Sequence, residues 1–238
     1  MRATIARPTT VPAPHEGVPF DGAVELERQV SRLLDLGYPE LLGVDEATFR
    51  TRLEPLRSHA RDLGERTAWD ADAVGRDDAI PFVLVLPGIP ADAAARRMEL
   101  AGRAGTSMLT EEEWAGFVPR PDVALPRDDD GERSFAYLLT DIDTGSDLRD
   151  VTPEDAVRAI QARDRSPLTV AEGIAVVTQR PDMLRRNRCY SLAGSRRGDQ
   201  RVPAVWISGE RAPKLGWCWD RNPHTWLGTA SAQERRAA

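Results

Sequence analysis

Residues 214–228 read KLGWCWDRNPHTWLG, and the C-terminal fold turns on whether this stretch is a pair of strands or a reactive site. It holds three of the chain's six tryptophans, together with Cys218 and His224. Strict alternation over KLGWCW puts Leu215, Trp217 and Trp219 on one face of a strand, and Lys214, Gly216 and Cys218 on the other. DRNP reads as a turn and HTWLG as the returning arm of a hairpin. That loop pairs Trp219 with His224, Cys218 with Thr225 and Trp217 with Trp226. Cys218 and His224 then lie on opposite faces, where they cannot form a nucleophile–base dyad. A different loop length would flip the register. We read Cys218 as a small buried residue behind an aromatic strand pair, with metal binding by Cys189, Cys218 and His224 lacking the usual close ligand spacing.

Upstream, RCYSLAG and VPAVWIS extend the same β pattern, and HTWLGTAS closes it. Two further strands stand out: the apolar run AIPFVLVLPG at 79–88 and FAYLLTDID at 135–143. Helical signals dominate the N-terminal half. Asp21 caps a helix with Leu26, Val30, Leu33 and Leu34 on one stripe and Gly37 at its end. A second helix starts near Asp45 with Phe49, Leu53 and Leu56 inward, and RSHARDLGERTAWDADAVGRDDA reads as its continuation followed by a loop. A short helix is expected over 91–100, and capping signals at Thr110/Glu113, Thr152 and Thr169/Glu172 open three more. The fold class is therefore α+β: a helical N-terminal region, a mixed middle and a β-rich C-terminal unit with a Trp-lined hairpin. We expect a disordered tail over 1–19, one domain over 20–231 with a candidate sub-boundary near 120–134, and a frayed end over 232–238.

Composition narrows the class further. With 41% hydrophobic and 29% charged residues over 238 positions, the chain is that of a globular protein. It has no secretory signal pattern and no apolar run approaching about 18 residues, so no membrane span is expected. Two cysteines are too few for a disulfide scaffold, and a reduced, cytoplasmic setting is expected. Lys214 is the sole lysine, and Asn187 and Asn222 are the sole asparagines, amid abundant arginine and alanine, as a GC-rich genome would produce.

Charge is unevenly spread. Between Arg180 and Arg221, nine arginines and Lys214 face four acids, an excess of +6 in a chain of net −6. A basic, tryptophan-rich segment on an acidic body suits a small anion or a protein partner, whereas overall acidity argues against duplex nucleic acid. Equally, those arginines could dock as internal pairs. Within this segment SLAGSRRGD, 191–199, brackets Ser195, Arg196 and Arg197 between two glycines, a loop able to offer backbone N–H groups and guanidinium donors. Earlier, DIDTGSD at 141–147 carries an isolated Asp-Thr-Gly with no second copy, so Asp143 lacks the partner an aspartic protease needs. We read it as a strand ending in a turn, with Asp141 and Asp143 as weak metal candidates.

FAYLLTDIDTGSDLRDVTPEDA, SPLTVAEGIAVVTQRP and the 191–231 block together resemble an uncharacterised family of actinobacterial proteins, most specifically over 135–231. That resemblance implies no activity. The expected ligand contacts are Arg196, Arg197 and Lys214 for an anion, Trp217, Trp219 and Trp226 as an aromatic wall, and Asn222 and His224 on the rim. No cofactor and no metal are expected. One alternative is a hydrolase or transferase acting on an anionic substrate through His224 and Asp141 or Asp143, with Cys218 as a weaker catalytic candidate. Another is an interaction protein whose tryptophans form a subunit interface.

Overall fold

The computed structural model describes residues 20–65 and 79–237. The tail expected over 1–19 and the loop expected after residue 65 lie outside the described residues. Four helices open the chain: α1 (Gly22–Asp35), α2 (Tyr38–Leu41), α3 (Glu46–Leu53) and α4 (Leu56–Glu65). Asp21 caps α1 by accepting from the Ala23 and Val24 amides, and Asp45 caps α3 from Thr48. Helices α1 and α4 touch at backbone level, because a Cβ on Gly22 would collide with the Ala60 carbonyl.

Strand β1 (Ala79–Val85) pairs antiparallel with β6 (Tyr137–Asp143), as the two apolar runs suggest. Between them lie α5 (Ala91–Arg97), the small ladder β2 (Glu99–Leu100) with β3 (Arg103–Ala104), then β4 (Thr106–Ser107), α6 (Glu111–Ala115) and β5 (Val118–Pro119). The helix expected over 91–100 thus stops at Arg97, and Met98 turns into an extended conformation that starts β2. After β6 come α7 (Pro153–Gln161), β7 (Ser166–Pro167) and α8 (Val170–Gln179). The remaining strands are β8 (Cys189–Ser191), β9 (Ser195–Arg196), β10 (Arg201–Ile207), β11 (Pro213–Trp219), β12 (Leu227–Thr229), β13 (Ser231–Ala232) and β14 (Glu234–Ala237). The mixed α+β class is as expected.

These strands form two main sheets. In the first, β6 is central: β1 lies on one side, and β13 with β14 runs along the other, β13 also pairing with β7. In the second, the order is β12-β8-β10-β11-β4. A Trp-lined hairpin does exist here, but its arms are β10 and β11, with Trp206 directly opposite Lys214. HTWLG does not return against KLGWCW. Its last residues form β12, which runs parallel to β8, so the expected pairing of Trp217 with Trp226 is corrected. The physical reason is competition: β10 offers seven paired positions, and burying Val202, Ala204 and Val205 outweighs closing a local turn.

Helix α8 packs against both β1 and β10 and joins the sheets into one apolar cluster running from Leu26 to Ala232. Gly173 permits this approach, since any Cβ there would strike Leu192. Both ends of α8 are tied down. At its C-terminus Arg28 and Arg32 of α1 donate to the carbonyls of Gln179 and Thr178, where cations favour the helix dipole. At its N-terminus Thr169 and Glu172 form a reciprocal capping box, as expected from sequence. The Glu172 carboxylate is fully buried and also accepts from the Tyr137 hydroxyl (2.8 Å) and the Arg235 guanidinium (3.0 Å).

Arg235 explains the end of the chain. Residues 234–237, expected to fray, form β14 against β6, with the Arg235 side chain 6% exposed and also bound to Ser166 and Pro167. Removing Arg235 leaves Glu172 as an uncompensated buried charge. Arg235→Ala is therefore expected to cost about 3–5 kcal/mol in urea unfolding. Arg236→Ala, one residue along and paired with Glu234 at the surface, is expected to cost less than about 1 kcal/mol. Equal costs for the two would contradict this account.

Candidate functional site

A cleft of about 200 Å³ opens beside the N-terminal half of α8. Its floor is Val170, Ala171, Ile174 and Ala175 of α8 with Leu84 and Leu86 from the end of β1. Its walls come from Ala91 and Ala94 of α5, from Trp114 and Phe117, and from Leu125 and Arg133 in the loop before β6. The walls are built locally and rigidly. Thr110 and Glu113 close a capping box on α6, which fixes the direction of Trp114. The Trp114 indole N–H donates to Ser107 Oγ at 2.8 Å, and its ring lies 5.1 Å from that of Phe117. Pairing of β5 with β9 brings Ser195 to the cleft, where its Oγ accepts from the Val170 amide at 3.1 Å.

Polar groups in the cleft are few. Glu111 is engaged by the Asp92 amide at 3.0 Å, and Tyr38 faces Thr178 at 3.3 Å, its phenol pushed up by burial. Among the described residues Arg133 has no ion pair and no side-chain hydrogen-bond partner, although it lies at the cleft and is exposed. No histidine or cysteine lines the cleft among the described residues, so Ser195 has no base beside it there.

The residues singled out from sequence fall into separate groups. Lys214, His224 and Trp226 gather on one face of the second sheet with Trp206 and Met108. Trp206 lies 6.4 Å from Trp226, His224 lies 5.3 Å from Trp226, and a Cβ on Gly216 would strike Trp206 and Met108. Trp217 and Trp219 point to the opposite face, edge to face at 4.8 Å, with Arg201 over Trp217 and Trp219 half exposed. Asn222 is exposed in the turn after β11, its amide donating to the Trp219 carbonyl. The expected aromatic wall is thus divided by the sheet.

Among the described residues, four of the nine arginines of the basic segment form ion pairs within the chain. Arg196 donates to Asp220 (3.1 Å) and to the Ala193 carbonyl (2.8 Å), and burial holds its guanidinium below the usual value. Arg180 pairs with Asp182, Arg201 with Asp199 and Arg221 with Glu154. Arg197 stays exposed, reaching the Glu113 carbonyl at 3.3 Å and lying 5.9 Å from the Phe117 ring. This places the 191–199 loop directly behind the cleft wall.

The acidic candidates Asp141 and Asp143 hold the chain's local structure. Asp143 Oδ1 accepts from the Gly145 amide at 2.7 Å, closing a turn. Gly145 has φ +76 and sits against the Thr229 backbone, which explains the glycine of Asp-Thr-Gly without protease chemistry. Asp141, itself at positive φ, pairs with Arg165 at 3.0 Å. Among the described residues no three His, Cys, Asp or Glu side chains gather as a metal site. Cys218 is buried opposite Val202 on one side of β10, and Cys189 lies on the other side, near Trp206 by continuation of the register. Strand spacings put the two roughly 16 Å apart, too far for a disulfide.

An α+β architecture with two sheets bridged by one helix, and an apolar cleft beside that helix, defines the class of molecule. The chain belongs to a family of unknown function, DUF5701, whose model matches residues 32–238. No curated protein and no solved structure matches it. Among the described residues no helix is long and apolar enough to cross a membrane.

The cleft residues went unnoticed in the sequence, although one signal was present. Phe117, Val118, Val123 and Leu125 are apolar residues inside a Pro- and Asp-rich loop that would not need them if it were merely solvated. The thiols give a direct check on the site geometry. Burial pushes Cys218 up to about 12, so on the order of one thiol in ten thousand is ionised at pH 8. Native protein is expected to resist a thiol-reactive disulfide reagent at that pH, and both cysteines should label on unfolding. Prompt labelling of Cys218 in the folded state would contradict its burial.

Proposed function

We propose that this is a cytoplasmic protein that binds a small, largely apolar ligand in the cleft between α8, α5 and α6. One observation carries the reading: a concave, aromatic-lined space with a mainly apolar lining, framed by α8, α5 and α6. Its volume exceeds that of an apolar cavity known to take up benzene, so a body of about eight heavy atoms fits. The internal pairing of Arg180, Arg196, Arg201 and Arg221 weighs against the basic segment as the main anion surface. The enzyme reading draws no support from the cleft, since His224, Asp141, Asp143 and Cys218 all lie outside its lining. Two free, buried cysteines suit a reduced compartment.

The test is a thermal-shift screen against small aromatic and aliphatic acids, alcohols and amines, with tryptophan emission as a second channel. A ligand at a hundred times its dissociation constant adds about 2.7 kcal/mol to folding stability, and contact with Trp114 should change the emission. Ala175→Phe fills the cleft from its floor and is expected to abolish the shift while the protein still folds. A panel that leaves wild type unmoved, or that shifts wild type and Ala175→Phe alike, would remove the cleft from consideration.

A further inference from the structure

We infer that the cleft selects an apolar monocarboxylate, whose hydrocarbon body lies among Ala94, Trp114, Phe117 and Ile174 while Arg133 receives the carboxylate. This rests on the cleft being the binding site and adds the chemistry of its ligand. Arg133 stands exposed at the cleft without an ion pair among the described residues. It follows RDDDGE at 127–132, four acids within the preceding five positions, yet its guanidinium pairs with none of them. Asp128 instead accepts from the Glu132 amide, and the neighbouring Arg127 donates to the Gly131 carbonyl. Elsewhere in this chain arginines beside acids form pairs, as Arg120 does with Asp122 and Arg158 does with Asp155. Arg61, Arg97, Arg103, Arg186 and Arg211 are likewise unpaired among the described residues, but of these arginines Arg133 is the one that lines the apolar cleft.

A guanidinium offers a planar fork matched to a carboxylate, and exposure at the edge of the cleft leaves that fork open to a ligand. The remaining charges at the mouth refine the choice. Glu111 also lines the cleft, with one oxygen committed to the Asp92 amide. Its charge repels a doubly charged head more than a singly charged one, so a monoanion is favoured over a phosphate dianion. Ser195 adds a hydroxyl at the inner end, already accepting from Val170 and able to donate.

Isothermal titration with phenylpropanoate, phenylpropanol and phenylpropylamine, three ligands with one hydrocarbon body, separates the possibilities. Wild type should bind the acid at least about tenfold more tightly than the alcohol, and the amine least. Arg133→Ala should erase the preference for the acid, and Arg133→Glu should transfer it to the amine. Arg133 is exposed, so neither variant should alter folding. If alcohol and acid bind wild type equally, or Arg133→Ala leaves the acid's affinity unchanged, the carboxylate assignment fails while the cleft stands. Phenyl phosphate binding as tightly as phenylpropanoate would overturn the choice of a monoanion. If none of these ligands binds, or if Ala175→Phe binds the acid as wild type does, the cleft and the assignment fall together.

Discussion

Glu172 is buried without exposure, and its carboxylate accepts four donors from three parts of the chain: Thr169 at the start of α8, Tyr137 on β6 and Arg235 on β14, twice. A carboxylate that deep is tolerated only when its lone pairs are filled. Meeting that requirement fixes the angle of α8 on the first sheet and holds the last strand against β6. The hydroxyl of Tyr137, whose ionisation burial pushes well up, stays a donor at any ordinary pH. One side chain thus serves as helix cap, inter-element joint and anchor for the chain's end.

A second constraint closes the opposite edge of the same sheet. Strand β1 has no strand on its outer side among the described residues, and unpaired backbone groups there would be buried under α1. The Gln29 side chain substitutes for the missing strand: its amide donates to the Phe82 carbonyl at 3.0 Å and accepts from the Leu84 amide at 2.6 Å. Gln179 then reaches back to the Gln29 carbonyl, so α1, β1 and α8 form one hydrogen-bonded unit. The cleft begins where this unit ends. Leu84 carries the Gln29 contact and Leu86 lies two residues past it, while α8 presents small residues at Ala171 and Ala175 that leave space unfilled.

Much of the local structure was legible because its causes are local. Asp21, Asp45, Thr110 and Thr169 sit where an oxygen can accept from amides two or three residues on, and each caps a helix in the structure. The two apolar runs were read as strands for the same kind of reason. QERRAA has no apolar alternation, and it becomes a strand only because β6 offers an open edge and Glu172 needs a cation. The hairpin was misassigned because alternation identifies faces but not partners, and β10 competes for β11 from upstream. The cleft draws on residues from Leu33 to Ser195, too far apart in sequence for any window to join them. The charge excess of the 180–221 segment is visible in sequence, and Arg180–Asp182 and Arg201–Asp199 pair only two residues apart, but the pairing of Arg196 with Asp220 and of Arg221 with Glu154 is a tertiary fact.

The central claim is that Glu172 couples the first sheet to the helix that floors the cleft. Hydrogen exchange of Glu172→Gln against wild type, resolved by segment, tests this most directly. The account predicts faster exchange in 137–143, 169–179 and 234–237 together, with the β10–β11 hairpin unchanged. Faster exchange confined to 234–237, with α8 and β6 protected as before, would contradict it.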